Sequence, residues 1–204
     1  LAAKKNKIQI ALVLGGGNIY RGRELTSLNI DQVSADYIGM LSTIMNGIAL
    51  SNFLSSNNCE NSLFSSFAIG NFVKAYSKEE AEKSLVEDKI VILVGGLGNP
   101  LFTTDSTASV RAVELNSDVM LKATNVDGVY SDDPKVNKEA IKYEHLSFDE
   151  AITKNLKVMD QTSLCFCRDN NLSVRVFNAD AEGAILEAII NENTDIGTLV
   201  ELEK

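Results

Sequence analysis

The stretch that most constrains the fold of this sequence is Lys89–Val94, KIVILV, which is apolar or β-branched at nearly every position and stops at Gly95-Gly96. A strand with one wet face alternates in polarity, so an unbroken apolar run must be covered on both faces. Helices crossing over between parallel strands supply that cover, which implies an α/β architecture. Ile8–Leu14, IQIALVL, repeats the pattern and ends at Gly15-Gly16-Gly17. Asp31–Leu54 reads as a long helix, with Val33, Tyr37, Leu41, Ile44, Ile48 and Leu50 mainly at three- and four-residue steps. Ser77–Asp88 reads as a charged helix capped by Ser77, with Glu80 three residues later. Phe72–Tyr76, Asp118–Ala123, Ser173–Phe177 and Thr198–Leu202 read as further strands. Ser106–Leu115, Phe148–Asn155, Gln161–Asn170 and Glu182–Asn191 read as helices, and the Asn- and Ser-rich Asn57–Ser66 as a connection. The expected fold is a three-layer α/β/α sandwich around a mainly parallel sheet, as one domain over residues 1–204.

Charge and cysteine usage narrow the function. Lys and Arg number 19 against 28 Asp and Glu, a net charge of −9, which argues against a broad nucleic-acid surface. A small anion site remains compatible, because a local field can oppose the net charge. The cysteines are Cys59, Cys165 and Cys167, with no CxxC spacing, so neither a disulfide framework nor a zinc site is expected and a cytoplasmic setting fits. His145 is the only histidine, which leaves little for a His-dependent triad. No metal site, no signal peptide and no apolar run of membrane-spanning length is expected.

Ligands of open α/β sheets bind beyond the carboxyl ends of the strands, and three loops there carry polar and glycine residues. Gly15-Gly16-Gly17-Asn18, followed by Arg21, suits a phosphate approached by backbone N–H groups, or is simply a tight strand exit. Gly95–Asp105, GGLGNPLFTTD, brings hydroxyls and an aromatic ring to a helix start, where Thr104 or Asp105 is also a normal cap. Lys122–Pro134, KATNVDGVYSDDP, offers Tyr130 to a base and Asp133 to a ribose or amino group, or is a surface turn. On the long helix, Asp36, Gly39, Thr43 and Asn46 form a small, polar stripe that faces either a cleft or solvent. Asp160 precedes another helix and reads equally as its cap.

Taken in order, GGGNIYRG, SADYIGMLSTIMNG, GLGNPLFTTDSTASVRAVEL, DVMLKATNVDGVYSDDP, LKVMDQTSLCFCRDNN, VRVFN and GTLV resemble segments of the bacterial uridylate kinases of the amino acid kinase family. The resemblance covers nearly the whole chain. It implies transfer of the ATP γ-phosphate to UMP, with Mg²⁺ carried on the nucleotide. It implies that Gly16 and Asp36 bind UMP, Asp36 through the ribose, and that Leu97, Gly98, Asn99, Pro100, Leu101, Phe102, Thr103 and Thr104 wrap the uridine and its phosphate. Gly17 and Arg21 then meet the ATP phosphates, and Thr124, Asn125, Tyr130 and Asp133 form the adenosine site. Arg21, Asp105 and Asp160 are the implied catalytic residues, and a homohexamer is the implied assembly. Two departures matter. Nothing in Leu1–Lys7 matches the family's opening Lys-x-Ser-Gly turn, so an upstream βα unit is expected to be missing or trimmed. The neighbourhood of Ser51 and Ser55 lacks the basic character of relatives with a GTP site. The alternative is a nucleotide-binding module with little turnover.

Overall fold

The computed structural model describes residues 6–20, 29–134, 136–191 and 195–203. Two compact units emerge among the described residues, one of Gln9–Thr107 and the other from Ala108 onward together with residues 6–8. Each is α/β.

The first unit holds β1 (Ala11–Val13), α1 (Gln32–Ser56), β2 (Asn61–Ser65), β3 (Lys74–Ala75), α2 (Lys78–Val86) and β4 (Ile90–Val94). Its sheet runs β1-β4-β2-β3, with every neighbouring pair parallel. All of β4 is buried, as the unbroken apolar run requires. Ile90, Ile92 and Val94 pack with Ile44 of α1 on one face. On the other, Ser84 of α2 donates to Ser62 of β2, whose register partner is Val91. Helices therefore cover both faces of this sheet.

β2 corrects the reading of Asn57–Ser66 as a connection. Its NSLFS sequence has little strand character of its own. A position between β4 and β3 decides the matter, because neighbours on both sides satisfy its backbone. The second correction concerns membrane-spanning length. By length and composition α1 is sufficient to cross a bilayer, although only 28% of its most apolar window is buried. Glycine, serine and threonine between the larger apolar residues hid this in the sequence. The same helix packs on β2 and β4.

The second unit follows α3 (Thr104–Glu114), within which the division falls. It holds β5 (Val119–Thr124), β6 (His145–Ser147), α4 (Phe148–Thr153), α5 (Gln161–Asp169), β7 (Ser173–Asn178), α6 (Ala184–Ile190) and β8 (Thr198–Glu201). Its sheet runs β5-β7-β8-β6, parallel except between β7 and β8. Met120, Val174, Val176 and Val200 pack with Phe148, Leu164 and Cys167 of α4 and α5. Leu121 and Phe177, on the opposite face, pack with Ala184 and Ala188 of α6. β6 is a strand that the sequence patterning did not reveal, because three residues are too few to show a period.

Gly47 shows how closely α1 rests on its sheet. A Cβ there would lie 2.6 Å from Val94 Cγ1 and 2.9 Å from Leu63 Cδ1. Forced overpacking costs about 1–3 kcal/mol, which outweighs the ~1 kcal/mol that alanine gains in helix propensity. Gly47→Ala is therefore expected to lower the urea midpoint. An unchanged or higher midpoint would show slack in the packing of α1 on β4.

Candidate functional site

Three loops of the first unit leave the carboxyl ends of β1, β2 and β4, and α1 organises them. Asp31 starts that helix by accepting from the Ser34 N–H (3.1 Å) and Ser34 Oγ (2.6 Å), bonds that hold its carboxyl below the usual carboxylate range. The stripe foreseen along α1 then meets the loops one residue at a time. Asp36 Oδ2 accepts from the Leu101 N–H at 2.8 Å, and Oδ1 accepts from Gln32 Nε2 at 2.7 Å. Thr43 Oγ1 accepts from the Gly95 N–H and donates to the Met40 carbonyl, both at 2.7 Å. Asn46 Nδ2 donates to the Gly15 carbonyl at 2.8 Å and to Asn18 Oδ1 at 2.7 Å. The stripe therefore faces loops, which excludes a merely solvated face.

Backbone contact accounts for Gly16. A side chain there would place Cβ 2.7 Å from the Gly39 carbonyl oxygen and 2.8 Å from Ser42 Cβ, so the glycine loop lies directly on α1. Its carbonyl accepts from the Ile19 and Tyr20 N–H groups, closing a tight turn. Gly17 and Asn18 are exposed on that turn. Arg21 lies outside the described residues.

In the β4 loop, Leu97, Gly98 and Pro100 are half-buried, while Asn99, Phe102, Thr103 and Thr104 are exposed. Leu101 has a φ of +71°, a left-handed conformation that costs a branched side chain free energy, and its own N–H is the group Asp36 holds. Ser66 Oγ donates to the Gly96 carbonyl and ties the β2 loop to the same structure. Thr103 Oγ1 accepts from the Ser106 N–H at 3.1 Å, so Thr103 caps α3, rather than Thr104 or Asp105. Thr104 opens the helix and Asp105 occupies its first turn.

The second unit carries the remaining predicted residues. Thr124 Oγ1 accepts from the Val126 N–H at 2.9 Å and donates to the Val126 carbonyl at 2.8 Å, closing a turn that leaves Asn125 exposed. The Tyr130 hydroxyl donates to Asp127 at 2.8 Å, and that bond, with burial and the negative charge, pushes the phenol above its usual pKa. Tyr130 and Asp133 line a cavity of about 320 Å³ whose walls also include Val126, Asp132, Lys154 and Lys157. The two lysines escaped the sequence reading because they follow α4, far along the chain from the loop they meet. Lys154 is paired with Glu150 at 2.6 Å. Asp160 caps α5, accepting from the Ser163 N–H (2.9 Å) and Ser163 Oγ (2.6 Å), the same Asp-x-x-Ser arrangement as at Asp31. His145 sits exposed on β6, 3.8 Å from Glu201.

Thr43 offers a direct test of this organisation. Thr43→Val keeps the shape but leaves the buried Gly95 N–H without its acceptor, a loss worth about 1–3 kcal/mol. Chemical denaturation is expected to show a drop in that range. A change under ~0.5 kcal/mol would mean that water or another group readily replaces the hydroxyl.

Comparison with known proteins places the sequence and the fold in a family. The sequence model of the amino acid kinase family matches residues 1–178. A uridylate kinase of Alcanivorax borkumensis is 45% identical over 95% of this chain and 76% of its own length. One from Coxiella burnetii is 46% identical over 95% of this chain and 79% of its own. The crystal structure of UMP kinase from Ureaplasma parvum superposes with a TM-score of 0.91 at 40% identity, covering 98% of this chain and 86% of that one. That of Bacillus anthracis gives 0.94 at 38% identity, covering 100% and 83%. With glycine loops at parallel strand ends, a helical stripe that holds them and a family match over most of its length, the chain belongs to the amino acid kinase family.

Proposed function

We propose that the protein is a UMP kinase, which transfers the γ-phosphate of ATP to UMP and yields UDP and ADP. The observation that carries this reading is the contact between Asp36 and the β4 loop, which joins the residue expected at the ribose to the segment expected around the uridine. It is supported by uridylate kinases as relatives at 45% and 46% identity.

The chemistry asks little covalent help of the protein. The nucleophile is a UMP phosphate oxygen, largely anionic at neutral pH because the second phosphate pKa is about 6. It attacks the γ-phosphorus in line, the bond to the β,γ-bridging oxygen breaks, and ADP leaves with those electrons. No general base is needed, so a lone exposed histidine is no obstacle. What the reaction needs is placement and charge stabilisation. Asp36 has lone pairs beyond those used by Gln32 and Leu101, and these accept from the ribose hydroxyls. Gly16 and the segment Leu97–Thr104 enclose the rest of UMP. The first N–H groups of α3 favour an anion, with Asp105 beside them. ATP enters with Mg²⁺ on its phosphates, which Gly17 and Arg21 meet, while Thr124, Asn125, Tyr130 and Asp133 take the adenosine. Asp105 and Asp160 organise the groups that handle phosphate.

The outer face of α1 bears on assembly. Tyr37, Leu41, Met45 and Phe53 are 47%, 50%, 59% and 64% exposed, and Asp36 is the helix's only charged residue. An apolar stripe of this extent suits burial against a second copy, and a homohexamer is the assembly we propose. Three free cysteines support a cytoplasmic location.

In a thermal-shift panel, UMP and UDP are expected to stabilise the protein more than CMP or AMP. Equal shifts from CMP would remove the uridine specificity. Asp36→Asn is expected to raise the KM for UMP by about ten-fold or more and that for ATP by less than about three-fold. Equal effects on both would contradict the ribose role. For the assembly, Leu41→Lys is expected to shift the particle mass to a smaller species. An unchanged mass would place the interface elsewhere.

A further inference from the structure

We propose that Asn46 is a positioning residue for nucleotide phosphates, acting through the glycine loop that it holds against α1. The inference rests on the UMP kinase reading, because it assigns the loop a phosphate to hold.

Asn46 is half-buried, well along α1 from Asp36 and almost three turns before the helix end. Its Nδ2 carries two hydrogens, and both are used. One goes to the Gly15 carbonyl at 2.8 Å and the other to Asn18 Oδ1 at 2.7 Å. Asn18 Nδ2 returns a bond to Asn46 Oδ1 at 3.1 Å, so the two amides form a closed reciprocal pair. The orientation follows from chemistry: the Gly15 carbonyl can only accept, so the Asn46 nitrogen must face it. Gly15 and Asn18 bracket Gly16 and Gly17, the residues proposed to meet the UMP and ATP phosphates. The contact of Gly16 with Gly39 and Ser42 sets how close the loop lies to α1. The Asn46 bonds fix the two residues on either side, and with them the direction of the backbone N–H groups between. A three-glycine loop has unusual backbone freedom, so an external tether is the means by which it keeps one conformation.

Asp at position 46 would present an acceptor to the Gly15 carbonyl and add negative charge beside the phosphates. Ala would remove the tether without charge and is a good helix former, so α1 is expected to survive the change.

Two measurements on Asn46→Ala, Asn46→Asp and Asn18→Ala test the proposal. Hydrogen exchange without ligand is expected to rise about ten-fold across residues 15–20 in Asn46→Ala, less in Asn18→Ala, and to stay unchanged in α2 and β4. Calorimetric titration is expected to show UMP and ATP bound about five- to ten-fold more weakly by Asn46→Ala, still more weakly by Asn46→Asp, and uridine bound within about two-fold of the parent. A purely structural role would weaken uridine and UMP alike, and that result overturns the proposal. So does unchanged exchange, or raised exchange with unchanged UMP and ATP affinity. If Asn46→Ala does not fold, Asn18→Ala carries the same pair of readouts with smaller shifts, because Asn18 is exposed. Failure of the parent protein to bind UMP overturns the kinase reading and the phosphate role together, while the exchange data still decide whether the tether exists.

Discussion

The hydrogen bonds from one face of α1 to the loops at the strand ends are the interaction on which the rest of the first unit depends. Asp36 holds the Leu101 N–H, Thr43 the Gly95 N–H, and Asn46 the Gly15 carbonyl. A loop that leaves a parallel strand has no ladder to satisfy its backbone, and here helix side chains substitute for one. The opposite requirement falls on the same helix. Ile44 and Gly47 must fit against β4 and β2 while the stripe stays polar. Each loop conformation is therefore fixed by a helix that is itself fixed by the core. Leu101 shows what this permits, since a leucine held at positive φ needs surrounding structure to keep it there.

The net charge of −9 and the handling of two nucleotides are compatible for the same reason. Backbone N–H groups and helix starts are positive without any ionised side chain. Several carboxylates near the predicted site are also already engaged. Asp31 and Asp160 cap helices, and Asp132 accepts from Asn137, which with the Asp133 N–H keeps it below the usual carboxylate range. Capping does not consume a carboxylate, because lone pairs remain, so Asp160 can serve its helix and a ligand at once.

Much of this was legible in the sequence. KIVILV announced a strand covered on both faces, and β4 is buried along its whole length. The steps of three and four at Asp36, Gly39, Thr43 and Asn46 revealed a stripe, although spacing alone left its face open. What the sequence hid was set by tertiary context. NSLFS becomes β2 only because β3 and β4 flank it. Lys154 and Lys157 join the Tyr130 cavity only because the fold returns the chain there. Among neighbouring hydroxyls, the choice of Thr103 over Thr104 as the α3 cap depends on where the loop turns. Division of the strands into two four-stranded sheets, with β7 and β8 antiparallel, also has no local signature.

A UMP kinase must pass the γ-phosphate of ATP to UMP. Phosphorus NMR of the purified protein with Mg·ATP and UMP reads that transfer directly. The γ-phosphate signal is expected to fall as the β-phosphate signals of UDP and ADP grow in equal amounts, with AMP and CMP far slower as acceptors. UMP that binds but is never converted, or conversion of AMP or CMP at the same rate, would contradict it.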